Sequence, residues 1–475
     1  MAARLLRFTR PALLRAAELE RIEGTALRIL EEIGIEVSHP DLAARARRHG
    51  FKLQQGRIRL SRRQVASFLR EARKGRHVPR RQPPPRETDA QLMLGVSSYP
   101  QSVHDPETDR ILSFTTARLV EATKLVDMLG DRGLYPGPPG CPTDVPPPLQ
   151  VLMQYRIAAE NLRRGGDPVD PKDCVSLPYL MEMAQTMGHP ITGLPVYVFS
   201  PLKLAGESLS AVLMVEKQLQ ATHVSSMPAA GCAAPVRPAE ALALATAEVV
   251  GSALILRECL KPAVHWSVAA YAFDLRGMAM SSCGPEGTLF KMASAEVDAY
   301  LHGQEWFPGI GRLHTLAKLP DSQAAAEKGS AMTVGALCGA RSFSNAGALS
   351  HDEIFSAVQL LVDLEIQDHV QRLVQGLDTA CDEEACLADV RAALGRGFLG
   401  LDRTLELYRD LYWHPQLFER RFLSSWQAAS HPTLSREAQE MAKELISRHD
   451  YELPLAKRAD LDRIYRRAER ELTGR

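Results

Sequence analysis

Side chains able to do chemistry are sparse in this 475-residue sequence, and the most suggestive lie in its second half. His265 stands beside Trp266, which offers a candidate general base next to an aromatic wall; an isolated strand histidine is as readily satisfied by backbone. Arg312 can clamp a carboxylate through the parallel donors of its guanidinium, and a structural ion pair explains it equally well. His314 and His351 carry the same two readings. What is missing narrows the chemistry further. There is no His-x-His pair or His-Glu-x-x-His motif for metal-assisted hydrolysis, and no Gly-x-Ser-x-Gly nucleophile turn. Lys203, Lys261 and Lys318 are the lysines nearest predicted strand ends, and nothing around them marks a Schiff-base residue. A site so poor in ionisable groups fits a reaction whose reactive centre comes from outside the chain.

These residues need elements to hold them. From about residue 190 the sequence alternates short apolar runs with helical periodicity: PVYVFSP (195–201), HVSSMPAAG (223–231), AVHWSVAA (263–270), FPGIGRLHT (307–315) and RSFSNAGAL (341–349) each precede a helix-length stretch. The strand-to-strand spacing of roughly 30 to 45 residues is that of a βα unit, too long for a hairpin. Earlier runs at 92–98 and 132–137 add strands, and no predicted strand leads into a Gly-rich phosphate turn. The expected fold is therefore α/β, a TIM (β/α)8 barrel over residues 88–380. Residues 1–87 read as a basic helical arm, with helices at 14–33, 40–49 and 61–73 and a hairpin turning near Gln55-Gly56. Residues 381–475 read as a C-terminal helical wrap. The proline-rich VPRRQPPPRE at 78–87 cannot be helix and marks the first boundary. In such a barrel, function gathers at the C-terminal ends of strands. That criterion selects Phe199 and Ser200, the 227–232 segment, His265 to Ser267, Arg312, His314, and Phe343 to Asn345.

Composition sets the bounds. A formal net charge of zero, 45% hydrophobic and 24% charged residues exclude a disordered, collagenous or membrane-spanning chain. The neutrality hides an asymmetry: residues 1–90 hold 21 Lys and Arg against 10 Asp and Glu, and the remainder is acidic to the same degree. A solvated arm on an acidic body accounts for this better than nucleic-acid binding. Eight scattered cysteines without a Cys-x-x-Cys pair fit reduced thiols in a cytoplasm.

The segments MPAAGCAAPVRPAEALALATAEVVGSALIL, FDLRGMAMSSCGPEGTLFKMASAEVDAYL and LPDSQAAAEKGSAMTVGALCGARSFSNAGALS resemble the trimethylamine:corrinoid methyltransferase family. So do ILEEIGIEV, HDPETDRILSFTT and FLGLDRTLELYRDLYWHPQLFERRFLSSWQ, in the same order along nearly the whole chain. The resemblance implies a barrel that transfers methyl from an amine to the cobalt of a separate corrinoid protein. Trimethylamine-specific members carry pyrrolysine within the segment matching Ala336–Gly347, which here reads ALCGARSFSNAG, standard throughout. The implied branch acts on quaternary amines such as glycine betaine, proline betaine or carnitine.

The resemblance also reassigns the candidates. Aromatic faces would hold a trimethylammonium head, with Trp266, Phe199, Phe343, Tyr99 and Tyr135 as candidates, and His265 close by. Arg312 would pair with a carboxylate tail, aided by His314 or His351. The corrinoid (cobalamin) would come with a partner, because the Asp-x-His-x-x-Gly corrinoid motif is absent; no tightly bound cofactor, metal, membrane or nucleic acid is expected, and homo-oligomerisation suits a barrel of this size. Arg403 stands where the family often has His before the matching Thr. A degenerate barrel that binds or senses a methylated amine is the alternative reading.

Overall fold

The computed structural model describes residues 12–74, 91–165, 173–304 and 311–474. The proline-rich 78–87 boundary lies outside them, as does the start of the 307–315 run.

The N-terminal helices are α1 (Ala16–Glu32), α2 (Pro40–Arg48) and α3 (Arg62–Arg73). Helix α1 buries Ile22, Ala26 and Leu30, one stripe at i, i+4, i+8. It ends at Gly34, whose φ of 75° and lack of a side chain let the chain pass against the Ile58 carbonyl; a Cβ there would lie 2.3 Å from that oxygen. The hairpin Leu53–Gln54 and Arg57–Ile58 pairs with strand Ile35–Val37, which runs parallel to Lys203–Leu204. Apolar residues of all three helices share one core with residues 149–301. Among the described residues Arg73 pairs with Glu23 at 2.7 Å and Arg62 with Glu31 at 2.9 Å inside the arm, and Arg45 ties it to Glu216 of the body at 2.5 Å.

Beyond residue 91 parallel strands alternate with helices: α4 (Thr116–Met128), α5 (Pro147–Asn161), α6 (Leu177–Met187), α7 (Glu207–Val215), α8 (Pro238–Cys259), α9 (Gly284–His302), α10 (Ser322–Leu337) and α11 (Ala357–Gln375). The strands form two parallel arcs. In one, Ala221–Ser226 lies between Gly193–Val198 and Ala263–Trp266. In the other, Met93–Val96 lies between Leu134–Tyr135 and Ser342–Ala346, and a bridge from Arg312 to Ser344 adds the next segment. The sequence runs located these strands to within a few residues. It did not anticipate the antiparallel Tyr271–Asp274 and Ala279–Ser281 pair that follows Trp266. Helix α8 is long and apolar enough to cross a bilayer, and it is buried in the core.

Helices α12 (Glu383–Ala393), α13 (Asp402–Leu411), α14 (Leu423–Ala428), α15 (Leu434–Ser447) and α16 (Leu455–Thr473) complete the chain. Helix α15 buries Ala438 and Ala442 in the core shared with α4 and α11, and α16 buries Leu461, Ile464 and Ala468 in the core shared with α5 and α6. The sole Gly-x-Gly-x-x-Gly run, Gly395–Gly400, links α12 to α13. With no strand before it, it lacks the setting of a dinucleotide turn.

Candidate functional site

Burial alternates along the three strands of the first arc, which therefore has one face turned to the helices and one partly open. Leu194, Val196 and Val198, then Thr222 and Val224, then Val264 and Trp266, are buried among helices. Pro195, Tyr197, His223, Ser225 and His265 lie on the opposite face, where His223 pairs in register with His265. In the second arc, Gly95, Tyr135, Ser344 and Arg312 share the open face.

Buried carboxylates on the helices hold the strand-end loops. Glu248 of α8 accepts from the Leu202 N–H at 3.0 Å and the Ser200 hydroxyl at 2.9 Å, and its burial raises its pKa. Asp298 of α9 accepts the Val268 N–H at 2.7 Å. Glu327 of α10 accepts the Thr315 hydroxyl at 2.5 Å and the Leu316 N–H at 3.2 Å. On α11, Asp363 accepts the Gly347 N–H and the ammonium of fully buried Lys328, both at 2.7 Å; Lys328 also donates to the Asn345 carbonyl. The loops that follow Phe199, Trp266, His314 and Asn345 are therefore each tied to a helix.

Three of the polar candidates converge. Arg312 donates to the Tyr271 hydroxyl at 2.9 Å, and Lys291 of α9 donates to the Arg312 carbonyl at 2.9 Å. Burial, then the Arg312 charge, lowers Lys291 to about 8. Neither cation forms an ion pair with a carboxylate among the described residues. The rings of His314 and His351 meet edge to face at 4.9 Å between centroids. Both touch the Ser282 hydroxyl, through His314 Nδ1 and, at 3.0 Å, His351 Nδ1. Left-handed backbone at Ser350 and His351 turns the chain back so that the His351 N–H reaches the Thr315 carbonyl at 2.7 Å. Burial, reinforced by Lys291, His351 and Arg312, drives His314 down to about 2, so it is neutral at physiological pH. The cluster offers one permanent cation, one titrating near neutrality and a neutral histidine.

The aromatic candidates divide. Tyr99, Tyr135 and Phe199 are accessible at strand ends, Phe199 at 55%. Trp266 and Phe343 are not: both lie on the helix-facing side, 6% and 1% exposed. Trp266 stacks on His302 at 4.1 Å and leans on Phe68 at 6.1 Å, and Phe343 is in the second core. Strand alternation forbids His265 and its neighbour Trp266 from facing the same way, so His265 keeps the open face and Trp266 leaves the site. Sequence reasoning missed Tyr197, which follows from Phe199 by the same period of two. It also missed Tyr271, Ser282 and Lys291, which only the fold brings to Arg312. Arg403 pairs with Asp389 at 2.8 Å in the α12–α13 region, away from these groups. A cavity of about 590 Å³ between α6 and α7, lined by Met181, Ile191 and Met214, holds none of the candidates.

The α/β chain thus joins its parallel strands to a cationic and histidine cluster at strand ends and an accessible aromatic face. The chain belongs to the trimethylamine methyltransferase (MTTB) family, whose profile matches residues 4–472. It is 27% identical over 287 residues to a trimethylamine methyltransferase of Methanosarcina mazei, covering 60% of this chain and 57% of that protein; the chain thus spans just over half the length of such relatives. It is 25% identical over 440 residues to a glycine betaine methyltransferase of Desulfitobacterium hafniense, covering 86% and 87%. Among solved structures, the Methanosarcina barkeri monomethylamine methyltransferase superposes with a TM-score of 0.48 at 11% identity, covering 90% of this chain and 87% of that one.

Proposed function

We propose that the two arcs close into an eight-stranded barrel surrounded by α4 to α11, and that the protein transfers a methyl group from a quaternary amine to the Co(I) of a separate corrinoid protein. The substrate is a zwitterion of the glycine betaine, proline betaine or carnitine type. Arg312 carries this reading: an accessible guanidinium, oriented by Tyr271, with Lys291 on its carbonyl and no directly ion-paired carboxylate among the described residues, although the Asp352 carboxylate lies near enough to feel its charge. A substrate carboxylate supplies the missing charge. Tyr135, Tyr197, Phe199 and Tyr99 present aromatic faces at neighbouring strand ends, each worth up to about 2 kcal/mol to a desolvated ammonium. The alignment with a glycine betaine methyltransferase and the standard residues through Ala336–Gly347 support the quaternary branch.

The chemistry asks little of the chain. The methyl carbon passes from nitrogen to the acceptor, the C–N electron pair stays on nitrogen, and the amine departs neutral without a proton. No general acid is required, which agrees with a neutral His314. The protein's share is to anchor the carboxylate, align one N-methyl group with the open strand ends and exclude water.

Anaerobic incubation with a reduced corrinoid protein and a panel of betaines tests the proposal. Methylcobalamin absorbance should appear with at least one quaternary amine and not with trimethylamine. Betaine-dependent thermal stabilisation without methyl transfer by an active partner would instead favour a sensing role.

A further inference from the structure

We propose that the N-terminal arm is part of the substrate site: its strand Ile35–Val37 fixes the turn that presents Phe199, and Glu36 is the positioning residue. Phe199 follows strand Gly193–Val198 and is more exposed than Tyr99, Tyr135 or Tyr197. It is nevertheless held on every side. Its N–H and carbonyl pair with the carbonyl and N–H of Lys203, both at 2.9 Å, and its ring packs against Gly206, where a Cβ would stand 2.5 Å from it. The turn passes through Leu202, whose φ of 58° is a left-handed conformation that a bulky residue keeps only when its surroundings impose it. Two ties impose it. The Leu202 N–H donates to Glu248 of α8 at 3.0 Å, and the Leu202 carbonyl accepts the Glu36 N–H at 2.8 Å.

The second tie belongs to the arm. Parallel pairing sets Glu36 beside Lys203 and Val37 beside Leu204, and the Glu36 carboxylate meets the Lys203 ammonium at 3.3 Å. Both side chains of that ion pair are well exposed to solvent, so it contributes little and the backbone N–H is the contact that matters. Val37 turns its own N–H the other way, to the Gly56 carbonyl at 2.9 Å, which anchors the strand in the arm's hairpin. Ile35 lies against α8, 2.9 Å from where a Cβ on Gly251 would stand, one helical turn from Glu248. The strand and α8 thus grip Leu202 from two sides while touching each other. An aromatic wall set in place before the ligand arrives binds an ammonium head more tightly than one ordered on binding, because the ordering cost is already met. Only this last step rests on the proposed betaine substrate.

Substitution at position 36 of the full chain, read by hydrogen exchange and by kinetics, tests this. Glu36→Pro removes the N–H that faces Leu202, whereas Glu36→Ala removes the side chain and keeps that N–H. Amides of residues 199–204 should exchange at least about 10-fold faster in Glu36→Pro and within about twofold of the wild type in Glu36→Ala. In methyl transfer with a reduced corrinoid protein, KM for glycine betaine should rise about 5- to 20-fold in Glu36→Pro with kcat little changed, and Glu36→Ala should match the wild type. Unchanged exchange in Glu36→Pro, or faster exchange with an unchanged KM, overturns the proposal. Should Glu36→Pro not fold, the wild type decides: coupling is reciprocal, so saturating glycine betaine should slow exchange at the Glu36 amide as well as across the turn. A betaine that raises the melting temperature and leaves Glu36 untouched also overturns it. If no betaine raises the melting temperature, the substrate assignment fails, and the exchange comparison still decides whether the arm fixes the Phe199 turn.

Discussion

At the residue scale the deciding rule is the two-residue period of a strand. Phe199 and Tyr197 share a face, as do Arg312 and Ser344 across a bridge, whereas His265 and Trp266 cannot. Substitutions should separate the two sides. Trp266→Ala should cost about 3–5 kcal/mol of stability, seen as a lower urea midpoint. Tyr197→Ala should leave the fold within about 1 kcal/mol and weaken betaine binding, read as a smaller ligand-induced rise in melting temperature. Removing Arg312 as Arg312→Ala should raise KM for a betaine roughly 10- to 100-fold, the equivalent of one charge-assisted contact, without moving the melting temperature of the free protein. His314 makes a pH prediction. Its folded pKa of about 2 lies far below the ordinary histidine value, so as pH falls below about 6.5 the unfolded chain takes up a proton that the folded chain refuses. Stability contributed by neutral His314 is present above that pH and declines by about 1.4 kcal/mol per unit on acidification. His314→Asn should flatten the pH dependence of the urea midpoint between pH 4.5 and 6.5; an unchanged slope would count against the buried neutral ring.

At the element scale, helices position the site by reaching into strand-end loops with carboxylates. The Lys328–Asp363 pair is the most demanding of these, since both side chains are fully buried and together hold Asn345 and Gly347 at the end of a strand. Removing one partner leaves the other charge without compensation. Asp363→Asn should therefore lower stability by about 3–5 kcal/mol, and Lys328→Met added to Asp363→Leu should recover a large part of that loss in chemical denaturation. The helix runs were legible because α1, α3 and α11 keep helical periodicity. The ties were not, since nothing in the sequence distinguishes Asp363, which holds a loop, from Asp368 five residues on, which pairs with Arg132 near the surface.

At the scale of the whole molecule, the N-terminal helices share the central core. Helix α1 lies so close to α8 that a Cβ on Gly251 would stand 2.5 Å from Leu30 and 2.9 Å from Ile35. Gly251→Val should overpack this contact, costing about 1–3 kcal/mol. Because the core is continuous, differential calorimetry should show the cost as one transition shifted downward, with no separate early melting of residues 16–73.

The sequence alone determined the alternation of parallel strands and helices beyond about residue 190, the family and the poverty of acid-base groups, because periodicity, length and motif order are local properties of the chain. It also carried Arg312 and the two histidines as candidates. Only the tertiary structure decided which side chains face one another. Ser282, His314 and His351 come from three segments, and Tyr271 and Lys291 reach Arg312 from two others. The same folding sent Trp266 and Phe343 to the helices. The reason is physical: a residue's type sets what it can bind, but the pleat and the helix it packs against set the direction in which it points.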